Sequence, residues 1–198
     1  DADMIIFTVP SHTYGKYLDM IYPYTANGTI LGFTPGTGGV EFLAKDFITE
    51  KTCMIFGTQR VPSGTKVTSR GYKVDSLGHR KDLRIATIPK SITKDVCDFF
   101  RKTLGITTVG LPNYLSVTLT PSNPILHTSR LYGLFHGLTK DTSYEQPLSF
   151  YKKWDDFSSR ILLGCNEELQ NCCRQLSNFD LTGVISLKEH YEITEVDG

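Results

Sequence analysis

The first 33 residues limit the fold more than any other stretch. Met4-Ile5-Ile6-Phe7-Thr8-Val9 is a short apolar run, the pattern of a parallel strand buried on both faces. Pro10-Ser11 breaks it, and Ser11 is placed to cap the helix that follows. Tyr14, Tyr17, Leu18, Ile21 and Tyr22 then recur at helical spacing. Asn27-Gly28 marks a turn, and Thr29 to Phe33 reads as a second buried strand. Strand, helix and strand in one sheet make a β-α-β unit with a right-handed crossover. A chain that opens this way is directed to an open parallel sheet, whose ligands sit beyond the carboxyl ends of the strands.

At that edge the sequence places Thr34-Pro35-Gly36-Thr37-Gly38-Gly39, ahead of Val40, Phe42, Leu43, Phe47 and Ile48. Glycines between a strand end and a helix start let backbone N–H groups approach a ligand closely. A glycine-rich structural turn accounts for the run equally well, since it matches neither the GxGxxG fingerprint nor a Walker loop. Cys53 to Thr58 is a third apolar strand. Gln59 to Thr65 reads as a loop flanked by Arg60 and Lys66, which can bind a carboxylate or simply be solvated. Lys66 to Asp75 and Leu83 to Ile88 read as strands joined by a turn at Gly78-His79-Arg80-Lys81, an antiparallel hairpin appended to the sheet. Ser91 to Asp95 carries a capping signature for a helix faced by Val96, Phe99, Phe100 and Leu104 and closed by Gly105. Ile106 to Leu119 holds one more strand-like segment, alternating over Leu115–Leu119.

The pattern then turns helical. In Pro121-Ser122-Asn123-Pro124-Ile125-Leu126-His127, Pro124 suits a first helical turn, where its missing N–H is no loss. Ser122 or Asn123 can cap that turn. His127 would project from the first turn, where the helix dipole favours neutral imidazole and suits proton exchange near neutral pH. A lone His at a helix start is more often a capping or packing residue. From Ser149 a long helix follows, with Phe150, Trp154, Phe157, Ile161, Leu162, Leu169 and Leu176 apolar, and Ser186 to Tyr191 starts a short one. The change of period puts a boundary near Pro121: an α/β part over residues 1–120 and an all-α part over residues 121–198.

Charge excludes some partners. The chain has 21 basic and 21 acidic residues in 198, so nothing suggests a nucleic-acid or anionic-membrane surface. Its longest apolar runs are too short to cross a bilayer, and no signal-peptide pattern opens it. Cys53, Cys97, Cys165, Cys172 and Cys173 form no CxxC pair and read as free thiols of a reducing, cytoplasmic compartment. His12, His79, His136 and His190 lack partners at metal-ligand spacing, so no metal site is read.

Several segments together resemble the octopine/nopaline (opine) dehydrogenase family. They are Ala2–Ile6 with Val9-Pro10, Pro35–Phe42, Phe56-Gly57-Thr58 with Pro62, Leu119–His127, Phe150-Tyr151 with Trp154, and Asn166–Leu169. The Asn123-Pro124-x-x-His127 segment is the most specific. The resemblance implies a Rossmann-like dinucleotide-binding domain, of which residues 1–120 are the second part, followed by the start of an α-helical substrate domain. It implies NAD or NADP as cofactor and reductive condensation of an amino acid with a 2-oxo acid such as pyruvate, by hydride transfer to an imine carbon. It implies that His127 is the acid/base. It assigns cofactor contacts to Val9, Pro10, Pro35, Gly36, Thr37 and Gly38, and with Asn123, Arg60 and Thr37 it completes a candidate substrate site. Thr37 stands where members often carry Gln, and Ser63-Gly64-Thr65-Lys66 stands where they carry a Trp-Ala-Cys-Arg-like run.

Both chain ends read as positions inside a longer protein. The resemblance places the glycine fingerprint before Asp1 and the carboxylate partner of His127 after Gly198, so the expectation is that this stretch alone does not turn over. Two other readings remain open. One is a different dehydrogenase with a helical domain, of glycerol-3-phosphate or 2-hydroxyacid type. The other is a non-catalytic helical module, since Tyr132, Phe135, Phe150, Tyr151, Trp154 and Phe157 suit a homodimer interface as well as a core.

Overall fold

The computed structural model describes residues 2–146, 148–152, 154–187 and 189. The β-α-β opening is present: β1 (Met4–Phe7) and β2 (Ile30–Phe33) pair in parallel, with α1 (Tyr14–Ile21) between them. β3 (Met54–Thr58) adds in parallel to β2 after two short helices, α2 (Val40–Leu43) and α3 (Lys45–Glu50). The full sheet runs β1-β2-β3-β6-β7. β6 (Asp82–Ile88) is antiparallel to β3, and β7 (Thr107–Gly110) is parallel to β6.

Side-chain alternation splits the sheet into two apolar faces. Phe7, Leu31, Phe33, Ile55 and Ala86 pack against Tyr14 and Leu18 of α1, Val40, Phe47, and Tyr114 and Val117. Phe7 and Phe33 stack at 5.0 Å, and Tyr14 meets Phe33 edge-on at 5.2 Å. Burying each such ring contributes ~1.5–3 kcal/mol. On the other face Phe56, Leu83 and Ile85 pack against Val96, Cys97 and Phe100 of α4 (Thr93–Leu104).

Several local expectations are corrected. β1 stops at Phe7 and forms one edge of the sheet, so Ile6 is 38% exposed and the strand is not buried on both faces. Ser11 makes no cap; it begins a 3-10 turn in which the Thr13 hydroxyl donates to the Pro10 carbonyl at 2.6 Å. The start of α4 likewise has no side-chain cap, because the Thr93 hydroxyl donates to the Lys90 carbonyl at 2.7 Å. The hairpin is made of β4 (Ser63–Ser69) and β5 (Lys73–His79), a separate two-stranded ribbon. Its turn is at Arg70-Gly71-Tyr72, where Gly71 has φ +79°, and not at residues 78–81. This frees β6 to join the main sheet. Leu115–Thr118 is a helical turn, α5, rather than a strand. Its period-2 pattern is too short to prevail over burial of Tyr114 and Val117 under the glycine loop.

α6 (Ser122–Phe135) and α7 (Asp156–Gln175) form the helical part. They meet closely at Gly133, where a Cβ would lie 3.0 Å from Ser158 Cβ. α7 starts seven residues later than the periodicity suggested, because Asp155 is its cap and accepts from Ser158 N–H at 2.6 Å. The chain then returns to the sheet: Asn113 Nδ2 donates to the Asp180 carbonyl at 2.6 Å, and Leu187 is buried. The helix expected over Ser186–Tyr191 runs past the described residues, which leave out His190 and Tyr191. Among the described residues no helix is long and apolar enough to cross a membrane, and no three His, Cys, Asp or Glu side chains cluster to hold a metal.

Candidate active site

The carboxyl ends of β1, β2 and β3 open on one edge, and a cleft of about 440 Å³ lies there. Ser11, His12 and Tyr14 line it after β1, Pro35 to Gly38 after β2, and Gln59 after β3. Thr118 and Thr120 to Pro124 close the far side. The glycine loop is pinned from below. The Tyr14 hydroxyl donates to the Pro35 carbonyl at 3.0 Å, and Gly36 N–H donates to the Thr58 carbonyl at 2.7 Å. Gly36 is a packing glycine: a Cβ there would sit 2.7 Å from Val117 and 2.9 Å from the Gly57 backbone. Gly38 is exposed at the cleft. Among the described residues, the N–H groups of Thr37, Gly38 and Gly39 donate to no backbone carbonyl. The close-packing and ligand-facing readings of the loop thus apply to different glycines.

Polar atoms beneath the loop are unusually unsatisfied. The hydroxyls of Thr34, Thr58, Tyr114 and Ser116, and Glu41 Oε2, are buried without a partner among the described residues. Glu41 Oε1 accepts from the Thr118 hydroxyl at 3.3 Å, joining α2 to α5. Burial, then the Glu41 carboxylate and Tyr14, push the Tyr114 phenol far above its ordinary pKa. Burial also raises that of Tyr14.

Sequence reasoning read Gln59 only as part of a loop. It is buried, and its Nε2 faces the Ser116 carbonyl at 2.8 Å, the Gly183 carbonyl at 2.8 Å and the Thr120 hydroxyl at 3.1 Å. It therefore joins the end of β3 to α5, to the α5–α6 junction and to the segment after α7. The available signal was its place directly after the apolar run Met54–Thr58, where a polar side chain must find partners inside.

α6 begins as expected around Pro124, but neither Ser122 nor Asn123 caps it. Pro121 holds the cap position, and the Ser122 N–H donates to the Thr120 carbonyl at 2.9 Å. Asn123 lines the cleft beside Thr37 and Gly38. His127 is in the second turn, beyond the first-turn range of the helix dipole. Its Nε2 lies 3.1 Å from the Tyr151 hydroxyl, and its ring meets Phe150 edge-on at 5.2 Å. It is not part of the cleft wall. Nor are Val9, Pro10 and Arg60. Val9 packs against the core, Pro10 is exposed directly before Ser11, and Arg60 is half-buried.

Comparison with known proteins follows this geometry closely. Residues 110–198 match the family model for the alpha-helical domain of NAD/NADP octopine/nopaline dehydrogenases. An opine dehydrogenase from Haliotis discus hannai is 28% identical over 200 residues, covering 96% of this chain and 49% of the relative. An octopine dehydrogenase from Mizuhopecten yessoensis is 25% identical, covering 89% of this chain and 44% of the relative. A solved octopine dehydrogenase with NADH and L-arginine superposes with a TM-score of 0.79 at 21% identity, over 96% of this chain and 49% of that one. The chain is thus similar to the opine dehydrogenases in sequence and shares the fold of octopine dehydrogenase. It spans about half the length of the opine dehydrogenases it matches. The matched helical region opens at Gly110, the last residue of β7, so α5 and the far wall of the cleft fall within the opine dehydrogenase helical-domain match.

Proposed function

We propose that this chain contributes the cofactor-side loops and the acid/base helix of an NAD(P)H-dependent opine-type dehydrogenase. The reaction condenses an amino acid with a 2-oxo acid such as pyruvate, loses water to give the imine, and reduces the imine carbon to a secondary amine. The observation that carries this reading is the cleft itself. It joins the glycine loop at the carboxyl end of β2 to Asn123 and Pro124 at the start of α6, in a chain similar to the opine dehydrogenases. Residues 1–120 are read as the second part of the dinucleotide-binding domain and residues 121–198 as the start of the substrate domain.

The residues present fit the dinucleotide. The buried Thr34 and Thr58 hydroxyls at the ends of β2 and β3 lack partners, and the N–H groups of Thr37 to Gly39 accompany them. Val9, Pro10, Pro35, Gly36, Thr37 and Gly38 would hold NAD or NADP, which when bound supplies the hydride. Asn123 and Thr37 orient the amino and oxo acids across the cleft, and Arg60 is the cation nearest in sequence to Gln59 for a substrate carboxylate. His127 gives the proton needed where charge develops. The five free cysteines suit a cytoplasmic protein. Leu131, Tyr132 and Phe135, all 40% exposed or more, support a homodimer through the helical part.

The test is NAD(P)H oxidation by the natural protein with pyruvate and a panel of amino acids. His127→Ala is expected to lower kcat by about 10²–10⁴-fold with the fold intact. Absence of turnover in the parent protein, or full turnover in the variant, overturns the reading.

A further inference from the structure

The β1 side of the cleft carries an imidazole that the reaction above does not use. His12 lines the cleft directly after β1, in the 3-10 turn that leads into α1. The cleft wall holds no Asp, Glu, Lys or Arg among the described residues, and its ionisable side chains are His12 and Tyr14. Tyr14 is committed: its hydroxyl donates to the Pro35 carbonyl at 3.0 Å, and burial raises its pKa, so the phenol stays neutral. His12 is exposed, and its ring makes no hydrogen bond or ion pair among the described residues. Imidazole changes charge between about pH 5 and 8, so His12 is the side chain of this wall that can turn positive near neutrality. The loops after β1 and β2 add donors. Among the described residues the N–H groups of Ser11, His12, Thr37 and Gly38 donate to no backbone carbonyl, and the Ser11 hydroxyl caps nothing.

We propose that, on the opine-type reading of this cleft, His12 as imidazolium binds the carboxylate of the 2-oxo acid and makes affinity for that substrate fall as pH rises. Of the two substrates, a 2-oxo acid such as pyruvate carries only acceptors, its carboxylate and its carbonyl. An amino acid also carries an ammonium, which an imidazolium repels. A stretch of wall with free donors and one side chain able to turn positive therefore suits the oxo acid. A carboxylate beside the ring favours its charged form, and by reciprocity the charged form favours the carboxylate. Affinity is full below the His12 pKa and is lost as pH rises through it. Beyond Tyr14, the titratable groups on α1, and on α2 packed against it, are Lys16, Tyr17, Asp19 and Glu41, and none pairs with His12 among the described residues. Ammonium, phenol and carboxylate side chains ordinarily titrate outside about pH 5–8. His127 is present in parent and His12 variants alike, so a difference between them belongs to His12.

The experiment has two readouts on the natural protein. In turnover, the KM for pyruvate is measured from about pH 5.5 to 8.5, across the range in which imidazole titrates. In the parent it is expected to rise about three- to fivefold, the size of an exposed ion pair. In His12→Gln it is expected to stay at the high-pH value, and in His12→Lys, which keeps its charge, at the low-pH value throughout. Because the contact is made to the bound substrate, kcat and the KM values for the amino acid and NAD(P)H are expected to stay within about twofold of the parent at each pH. In proton spectra of the ring, assigned with His12→Gln, NAD(P)H is added first and pyruvate second, without an amino acid. Pyruvate is expected to move the His12 titration to higher pH. Parallel pH curves for parent and His12→Gln, an effect that falls on the KM of NAD(P)H instead, or a ring signal indifferent to pyruvate overturns the proposal. If the parent shows no opine-type turnover, the functional reading fails, while the response of the His12 signal to pyruvate still decides whether this turn binds a carboxylate.

Discussion

The floor of the cleft makes a sharp prediction at Gly57. This residue has no side chain because the Tyr114 ring occupies the space. A Cβ on Gly57 would overlap Tyr114 Oη and lie 2.8 Å from Cζ and 3.0 Å from Cε2. The neighbour is an aromatic ring 5% exposed, wedged between the sheet and Gly36, so it cannot swing aside like the end of a flexible chain. Overpacking of this kind costs ~1–3 kcal/mol. Alanine in place of a strand glycine recovers ~0.5–1 kcal/mol of backbone entropy. Gly57→Ala should therefore destabilise the chain by a net of up to about 2.5 kcal/mol, the difference of those two effects.

The same geometry says how to relieve it. The Tyr114 hydroxyl has no partner among the described residues, and a buried hydroxyl without a partner costs ~1–3 kcal/mol. Tyr114→Phe should be neutral or stabilising. It also removes the atom closest to the new methyl, while leaving Cζ and Cε2 in place. In the Tyr114→Phe background the cost of Gly57→Ala should fall by about 1 kcal/mol and not vanish, a coupling typical of residues in contact. Urea titrations followed by circular dichroism can measure this, since a slope near ~2 kcal/mol/M turns 1 kcal/mol into a midpoint shift of about 0.5 M. If Gly57→Ala costs the same in both backgrounds, or Tyr114→Phe is clearly destabilising, then the hydroxyl is not the obstacle and not an orphan.

Two further changes test the joints of the molecule. Gln59→Leu strips the donor from the Ser116 and Gly183 carbonyls and should cost ~1–3 kcal/mol; a urea midpoint equal to the parent's would show that the staple contributes nothing. Asp155 is held below its ordinary pKa of 3.8, first by the Ser158 N–H and then by the Ser158 hydroxyl and Arg130, against some desolvation. A lowered folded pKa means stabilisation that is complete above pH ~4 and is lost as pH falls through the folded value. Asp155→Asn keeps an acceptor for the cap but should remove that acid-dependent part. Trp154, the one tryptophan, donates its indole N–H to the Ser159 hydroxyl at 2.9 Å and reports the region by fluorescence. Superimposable acid profiles for parent and Asp155→Asn would refute the assignment.

What could be seen in the sequence divides along physical lines. The three parallel strands, α1 and α4 are legible because apolar periodicity records burial; α6 is legible instead through Pro124 in its first turn, since its buried residues are Ser122, Ser129 and Arg130. The ribbon was misread because Gly71 sits inside what looks like one strand, while Gly78 to Lys81 has the stronger turn composition. α5 was misread because four residues are too few for either period to register, and its contacts are tertiary. At the site, Pro35 to Gly38 and Asn123 were legible through glycine, proline and asparagine chemistry, and the cleft brings them together. Gln59 and Arg130 were not. Their partners lie as far as 124 and 28 residues away, mostly on backbone carbonyls, and a carbonyl leaves no mark in the sequence.

Under the proposed acid/base role, those two residues set how His127, which lies off the cleft wall, stands relative to the cleft. Asn123 and His127 are four apart on α6, so they share a helix face and lie about 6 Å apart along its axis. Asn123 is at the cleft, which places His127 one helical turn from it. The sheet end of that distance is set by Gln59, which ties β3 to the start of the helical part. The histidine end is set by Arg130, which holds the segment that carries Tyr151. A catalytic group misplaced by about 1 Å can cost about 10²-fold in rate. The spacing therefore depends on both clamps together, and loosening either one should cost turnover even where the cleft residues and His127 are unchanged.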